Sequence, residues 1–250
     1  MAAIGQEFTE NLLADAGITR GQRVLDIGCG MGDVSLIAAD LVGPSGEVVG
    51  IDSSAGPLAI ARDRVQDLGL SNLRFVQGDL NDLPKDIGEF DAITGRRVLM
   101  YQPDAVATLR TLCQYLRSGG LVALHEHDTT MVPASLAPLP MHKQAQGWLL
   151  QMLKGEGADT HMGFRLHEVL TEAGLNVGHV RAEAIVQTPS QPYALYPIIH
   201  AVMPRLLALG IATEAEIDIE TLEQRLNDER LASEATYIAD MMFGAWANKP

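Results

Sequence analysis

Cysteine is scarce in this chain: 250 residues carry only Cys29 and Cys113. One sits in a Gly-rich stretch and the other in an expected helix, which reads as two free thiols of a reducing compartment, not a disulfide framework. No apolar run reaches the roughly 18 residues that a membrane helix requires. The opening MAAIGQEFTENLL carries acidic side chains and lacks a basic start followed by a long apolar run, so no signal peptide is expected. Basic clusters are missing too. The longest is the pair Arg96-Arg97, in a chain of formal net charge -14. Nucleic acid needs a basic footprint, so neither nucleic acid nor membrane is expected as a partner, and the acidic balance is assigned to solubility. No internal repeat or low-complexity segment is found. These absences leave a soluble, cytoplasmic chain, with a homodimer open. Hydrophobic residues at 47% and charged residues at 20% indicate a globular fold. The length suits one α/β domain, residues 1–250, with inserted helical segments.

The chain is organised around VLDIGCGMGD, Val24 to Asp33. Val24, Leu25 and Ile27 suit a short buried strand. Gly28, Gly30 and Gly32 allow a tight turn and close approach of the backbone to a ligand. Val34 to Ala39 can then open a helix whose N-terminal amides face the bound molecule. Strand, Gly-rich turn and helix form the usual nucleotide-type cradle of an open α/β sheet. The dinucleotide fingerprint wants GxGxxG, but the sixth position here is Asp33 and the third glycine comes early, at Gly32. Carboxylates on both sides of the turn, Asp26 and Asp33, disfavour a pyrophosphate and favour a ligand bearing an ammonium and a sulfonium. S-adenosylmethionine (SAM) is such a ligand.

On these residues the stretch resembles the first motif of the class I SAM-dependent methyltransferases. Later segments continue the resemblance in the same order. Asp52 ends an expected strand, Glu47 to Asp52, 22 residues after Gly30. A carboxylate there can accept both ribose hydroxyls of an adenosine, although Asp52, Ser53 and Ser54 also compete as helix caps. Leu73 to Gln77 is the third strand. Gly78, Asp79 and Leu80 follow and resemble the family's adenine-binding stretch, where the carboxylate accepts the exocyclic amino group. Phe90 to Thr94 is the fourth strand, and Gly95 to Asp104 falls where cofactor and substrate pockets meet in the family. The resemblance thus implies a cofactor site built from Asp26, Gly28, Cys29, Gly30, Gly32, Asp52, Ser53, Gly78, Asp79, Leu80 and Arg96. The Gly119-Gly120 pair before strand five also matches, but Ser118 stands where the family usually has proline.

Leu121 to Leu124 is the fifth strand, and His125, Glu126, His127 and Asp128 occupy its carboxyl end, the edge that faces the ligand crevice in open α/β sheets. These four ionisable groups are the candidates for chemistry. Glu126 and His127 are adjacent, so on a regular strand only one faces inward. His127 is preferred as base because an unperturbed imidazole titrates nearer neutrality, with Glu126 second, His125 behind them and Tyr101 positioning the nucleophile. His125 and His127 would project to one side, but without a placed third ligand no metal is assigned.

Substrate contacts are expected from Arg97, Tyr101, Trp148, His161 and Arg165. Arg96 and Arg97 have a structural alternative, a salt bridge to a nearby acid. Trp148 belongs to a helix with Met141, Ala145, Leu149 and Met152, which reads as core or pocket wall. His161 and Arg165 are spaced to share a helix face, in a GADTHMGFRLHEVLTEAGL stretch that resembles many small-molecule methyltransferases. Segments near 133–160 and 189–234 read as helical caps. Val177 to Gln187 is the sixth strand and Ala239 to Pro250 the seventh, with Trp246 against the core. The first helix, with Ile4, Phe8, Leu12 and Leu13 on one face, ends at Gly17 and either packs on the sheet or covers the cofactor.

The family implies a Rossmann-like seven-stranded sheet, mainly parallel with an antiparallel last strand. The expected function is in-line transfer of the SAM methyl to a small-molecule nucleophile. Three alternatives stay open: a hydride-transferring NAD enzyme, a non-enzymatic SAM-binding module, and a SAM-binding protein of this fold that catalyses another reaction.

Overall fold

The computed structural model describes residues 5–84, 86–131 and 134–250. Ile4 and Pro133, placed by the sequence at the start of a helix and of a loop, lie outside the described residues. The elements run α1 (Gln6–Ala16), β1 (Arg23–Ile27), α2 (Asp33–Val42), β2 (Glu47–Asp52), α3 (Ala55–Asp67), β3 (Leu73–Gln77), β4 (Phe90–Arg96), α4 (Ala105–Leu112) and β5 (Leu116–Asp128). Then come α5 (Pro140–Gly155), α6 (Met162–Glu172), β6 (Asn176–Gln187), α7 (Leu195–Ala208), α8 (Glu214–Ile217), α9 (Ile219–Ser233) and β7 (Tyr237–Asn248).

The seven strands lie in the order β3-β2-β1-β4-β5-β7-β6. β1 pairs in parallel with β2 and with β4, and Ile27 sits opposite Ile51 on one side and Gly95 on the other. β3 extends the parallel set beyond β2 and β5 beyond β4. β7 is antiparallel to β5: its end meets the start of β5, where the Gly119 amide donates to the Lys249 carbonyl at 3.1 Å and the Lys249 amide to the Gly120 carbonyl at 2.8 Å. The order reverses between β1 and β4, and in an open α/β sheet the ligand crevice forms outside the carboxyl ends of the strands at such a switch point.

Two compact units divide the chain. The first holds residues 1–126, 162–182 and 243–250, and the second residues 127–161 and 183–242. In the first, Val24, Val48, Leu73, Ala92, Leu121 and Ala123 present one sheet face to Val34, Ile37, Ala38 and Val42 of α2. Each such side chain, fully buried, contributes roughly 1.5–3 kcal/mol if large. Trp246 packs against this cluster, as its sequence position implied. α1 stops at Gly17, which adopts φ 101° and closes the helix with its amide. The second unit contains α5, α7, α8 and α9. Glu229 of α9 accepts the Met141 and His142 amides at 2.8 and 3.0 Å, capping the otherwise unpaired first turn of α5. Thr213 and Glu216 form a capping box on α8.

Several boundaries differ from the sequence reading. β5 begins at Leu116, and Gly119-Gly120 lies inside the strand instead of before it, because α4 already stops at Leu112. Pro103 precedes α4; Asp104 caps it, accepting the Ala107 amide at 2.9 Å. His161 lies just before α6, so it does not share a helix face with Arg165.

Candidate cofactor-binding cleft

The crevice expected at the switch point exists within the first unit. It is a cleft of about 530 Å³ whose floor includes Gly28, Asp52 and Ser53, with Gly78, Asp79, Leu80 and Asn81 from the segment after β3. Its other wall comes from the segment after β4: Arg97, Val98, Tyr101, Gln102 and Pro103.

Asp52 organises the floor. Its Oδ2 accepts the Gly30 amide at 3.0 Å and its Oδ1 the Ser54 amide at 2.8 Å. Each oxygen keeps a lone pair for a ligand hydroxyl. Asp79 Oδ1 accepts the Asn81 amide at 2.8 Å, which folds the Gly78–Asn81 segment into a tight turn.

The three motif glycines serve different ends. Gly30 has φ +52°, and a Cβ there would meet nothing within 4 Å. It borders open space beside Asp52, so the turn is free to receive a ligand. At Gly32, φ is +84° and a Cβ would come within 2.9 Å of Phe75 Cζ. At Gly28 a Cβ would stand 2.6 Å from Val98 Cγ2. Gly32 is therefore a packing requirement and not a point of ligand approach, while Gly28 does both.

The acidic flanks of the motif behave otherwise than the sequence argument assumed. Asp33 is ion-paired with Arg64 at 2.8 Å and Arg96 at 3.4 Å, so its charge is neutralised within the protein. Arg96 is this structural partner and does not line the cleft; burial lowers its pKa and Asp33 opposes the shift. Asp26 is 1% exposed and also off the cleft lining. Its Oδ2 accepts from Ser35 Oγ at 2.5 Å, and its Oδ1 has no hydrogen-bond partner. Burial lifts its carboxyl from 3.8 to about 7, opposed by the Ser35 bond and the Arg96 charge. Cys29 is buried under the turn, its Sγ against Gly50, and burial pushes its thiol up.

The raised Asp26 value has a measurable consequence. The unfolded chain keeps the ordinary carboxylate value, so the folded state holds an extra proton between about pH 4 and 7 and stability falls as pH rises through that window. Asp26→Asn should remove this loss, flattening the dependence of the thermal midpoint on pH between 5 and 8. For a chain of this size each kcal/mol moves the midpoint by roughly 2–4 °C. An unchanged slope in a thermal melt series would mean that Asp26 is ionised throughout.

The His125–Asp128 tetrad is entirely buried. His125 Nδ1 is 2.9 Å from Thr9 Oγ1, with the Phe8 ring 4.8 Å from its own, so α1 covers it and it is withdrawn from the cleft. Glu126 also fails to line the cleft. Its Oε1 accepts the Val98 and Leu99 amides at 2.9 and 2.7 Å, which makes it a support of the wall and not a base. In the second unit His127, the preferred base, is likewise absent from the cleft lining; its Nδ1 lies 2.9 Å from Asp240 Oδ2. Asp128 accepts the Thr130 and Met131 amides, each at 2.9 Å, and lies 3.3 Å from His161 Nδ1. His161 thus packs against the turn after β5. Arg165 pairs with Glu168 at 3.6 Å, a surface contact. Trp148 is 5% exposed in the core of the second unit. Among the described residues no set of three His, Cys, Asp or Glu could hold a metal ion.

A family model described as a methyltransferase domain matches residues 18–174, well over half of the chain. The chain belongs to the class I SAM-dependent methyltransferases. Membership sets aside the hydride-transfer alternative, and the seven-stranded sheet with β7 reversed is the one this family implies. Among curated proteins, the demethylmenaquinone methyltransferase of Staphylococcus carnosus is 35% identical over 126 residues, and that of Staphylococcus aureus 32% over the same length. The methyltransferase chain spans about half the length of these relatives, 52%, and the match takes in 50% of its own. Among solved structures, a SAM-dependent methyltransferase from Aquifex aeolicus superposes with TM-score 0.57 at 17% identity, over 97% of this chain and 89% of its own. Geranyl diphosphate methyltransferase in complex with SAM gives 0.59 at 17%, over 98% and 85%. The cyclase SpnF gives 0.60 at 21%, over 98% and 81%. At such identities these likenesses show the fold alone.

The family's cofactor fits the cleft. Gly30 leaves room that a side chain would fill, and Asp52 presents two oxygens already oriented by backbone amides. Of the residues assigned to the cofactor from sequence, Gly28, Asp52, Ser53, Gly78, Asp79 and Leu80 line it, and so do Arg97 and Tyr101, assigned to the substrate. Asn81, Val98, Gln102 and Pro103 were missed. The signal for Val98 was available only in three dimensions, since it is the contact that requires glycine at position 28.

Proposed function

We propose that this methyltransferase transfers the methyl of SAM to an O, N, S or C nucleophile of a small molecule. The observation that carries this reading is Asp52, fixed by the Gly30 and Ser54 amides at the floor of a cleft of about 530 Å³. Asp52 is assigned to the ribose hydroxyls and Asp79 to the adenine amino group, with Gly30 admitting the ligand. When bound, SAM supplies an electrophilic methyl on a sulfonium; the protein's contribution is alignment and exclusion of water. Tyr101, 43% exposed in the cleft wall, is assigned to positioning the nucleophile. His127, held by Asp240, is assigned to taking its proton where it carries one.

The curated relatives act on demethylmenaquinone by name, but they match half of this chain, so that acceptor is not carried over. A small molecule is favoured over nucleic acid by the chain's net charge of -14. Two buried free cysteines suit a reducing, cytoplasmic setting.

Asp52→Ala should weaken SAM and S-adenosylhomocysteine (SAH) binding by about 1–3 kcal/mol, roughly 5- to 150-fold, because ligand and turn lose charge-assisted hydrogen bonds together. Calorimetric titration measures it, and wild-type affinity for both ligands would remove the ribose assignment. Transfer of label from SAM to a panel of phenols, quinols and amines tests the activity itself. A protein that binds SAM and labels none of a broad panel would favour the alternative that the cofactor serves another reaction on this fold.

A further inference from the structure

We propose that Glu126 is a positioning residue that holds the β4-side wall of the cofactor cleft in its binding shape. The proposal rests on the reading of that cleft as the SAM site. Glu126 belongs to the first unit and is 0% exposed. A single oxygen, Oε1, accepts two consecutive amides, Val98 at 2.9 Å and Leu99 at 2.7 Å. The preceding amide, that of Arg97, donates to the His125 carbonyl at 2.8 Å. Three successive amides of one turn are thus tied to two successive residues of β5.

The turn needs such ties. Arg97 has φ +57°, a left-handed conformation that is strained for a non-glycine residue and persists only where the surroundings impose it. What the ties hold is the cleft wall itself. Arg97, Val98 and Tyr101 all line the cavity, and Val98 presses on the position where Gly28 lacks a Cβ. If the turn relaxed, Val98 would move against the Gly-rich floor and the slot between the walls would change width.

The choice of a carboxylate for this task matters. Burying an ionised group is costly, and Glu126 Oε2 has no hydrogen-bond partner. Burial raises the acid from its ordinary 4.5 to about 7; the Val98, Leu99 and Met100 amides and the Arg97 guanidinium, the charged group that faces it, pull the other way. Its bonds to the amides therefore change strength near neutral pH, being stronger to the ionised form.

The test is calorimetric titration with SAH from pH 6 to 8, together with amide hydrogen exchange resolved at Val98 and Leu99, on wild type, Glu126→Ala and Glu126→Gln. Glu126→Ala should weaken SAH binding by about tenfold and speed exchange at both amides. Glu126→Gln keeps an acceptor oxygen, so it should restore affinity to within about threefold of wild type. Wild-type affinity should rise several-fold from pH 6 to 8, and Glu126→Gln should lose that rise. If Glu126→Ala does not fold, the flattened pH profile of Glu126→Gln decides. Wild-type affinity and exchange in Glu126→Ala, or an identical pH profile in wild type and Glu126→Gln, would overturn the proposal alone. A wild-type protein that binds neither SAM nor SAH would overturn the cofactor reading and this proposal with it.

Discussion

A Gly30→Val protein should fold and fail to bind SAM or SAH. The backbone at Gly30 has φ +52°, and apart from its chain neighbours nothing lies within 4 Å of a Cβ placed there. No clash therefore opposes folding. The cost is conformational, roughly 1–2 kcal/mol for a side chain in the left-handed region, against the 5–15 kcal/mol of a typical domain. The valine occupies the open space beside Asp52, and a β-branched residue strains the amide that Asp52 holds. Affinity should fall at least about 100-fold, near 3 kcal/mol. Gly32→Ala makes the contrast, because its Cβ meets Phe75 at 2.9 Å; that substitution should lower the thermal midpoint more than the affinity. Titration with SAH alongside far-ultraviolet circular dichroism checks both. A folded Gly30→Val protein with wild-type affinity would place the cofactor elsewhere.

The contrast between the two glycines shows what the sequence could convey. It conveyed the turn, because three glycines between a strand and a helix have few other uses. It could not say which glycine faces a ligand and which faces Phe75, because β3 supplies Phe75 from more than 40 residues away. The strand rhythm was legible for a similar reason. β1, β2 and β4 are largely buried apolar runs bounded by turn residues, and β2 and β3 have the bounds read from sequence. β5 was not, since Gly119-Gly120 resembles a helix stop and is in fact paired with the end of β7. Charge was the least legible property. Asp33 beside the motif looked available to a cationic ligand, yet Arg64 and Arg96 claim it. The same holds for the HEHD run, read as one cluster of candidate catalysts. Its members take unlike partners: Thr9, the Val98 and Leu99 amides, Asp240, and the Thr130 turn.

His127→Ala should lower turnover by about 10²–10⁴ while leaving SAM affinity nearly unchanged. The choice of His127 rests on the commitments of its neighbours besides intrinsic basicity. His125 is covered by Phe8 and Thr9, and Glu126 supports a turn. His127 is held by Asp240 at 2.9 Å, and a carboxylate in that position fixes the imidazole tautomer and ring orientation. Asp240→Asn is the sharper variant. An amide that donates to Nδ1 favours the tautomer with its proton on the nitrogen distal to position 240, and that nitrogen then cannot take another. Turnover should fall in Asp240→Asn although the ring keeps its place. Where the nucleophile is a carbon or already ionised, both substitutions should act on acceptor binding instead, raising KM with kcat nearly kept. Single-turnover methyl transfer to an acceptor from the labelled-SAM panel, run across pH, separates these outcomes. Wild-type rates and KM in both variants would remove His127 from the reaction and leave Tyr101 as the nearest candidate in the cleft.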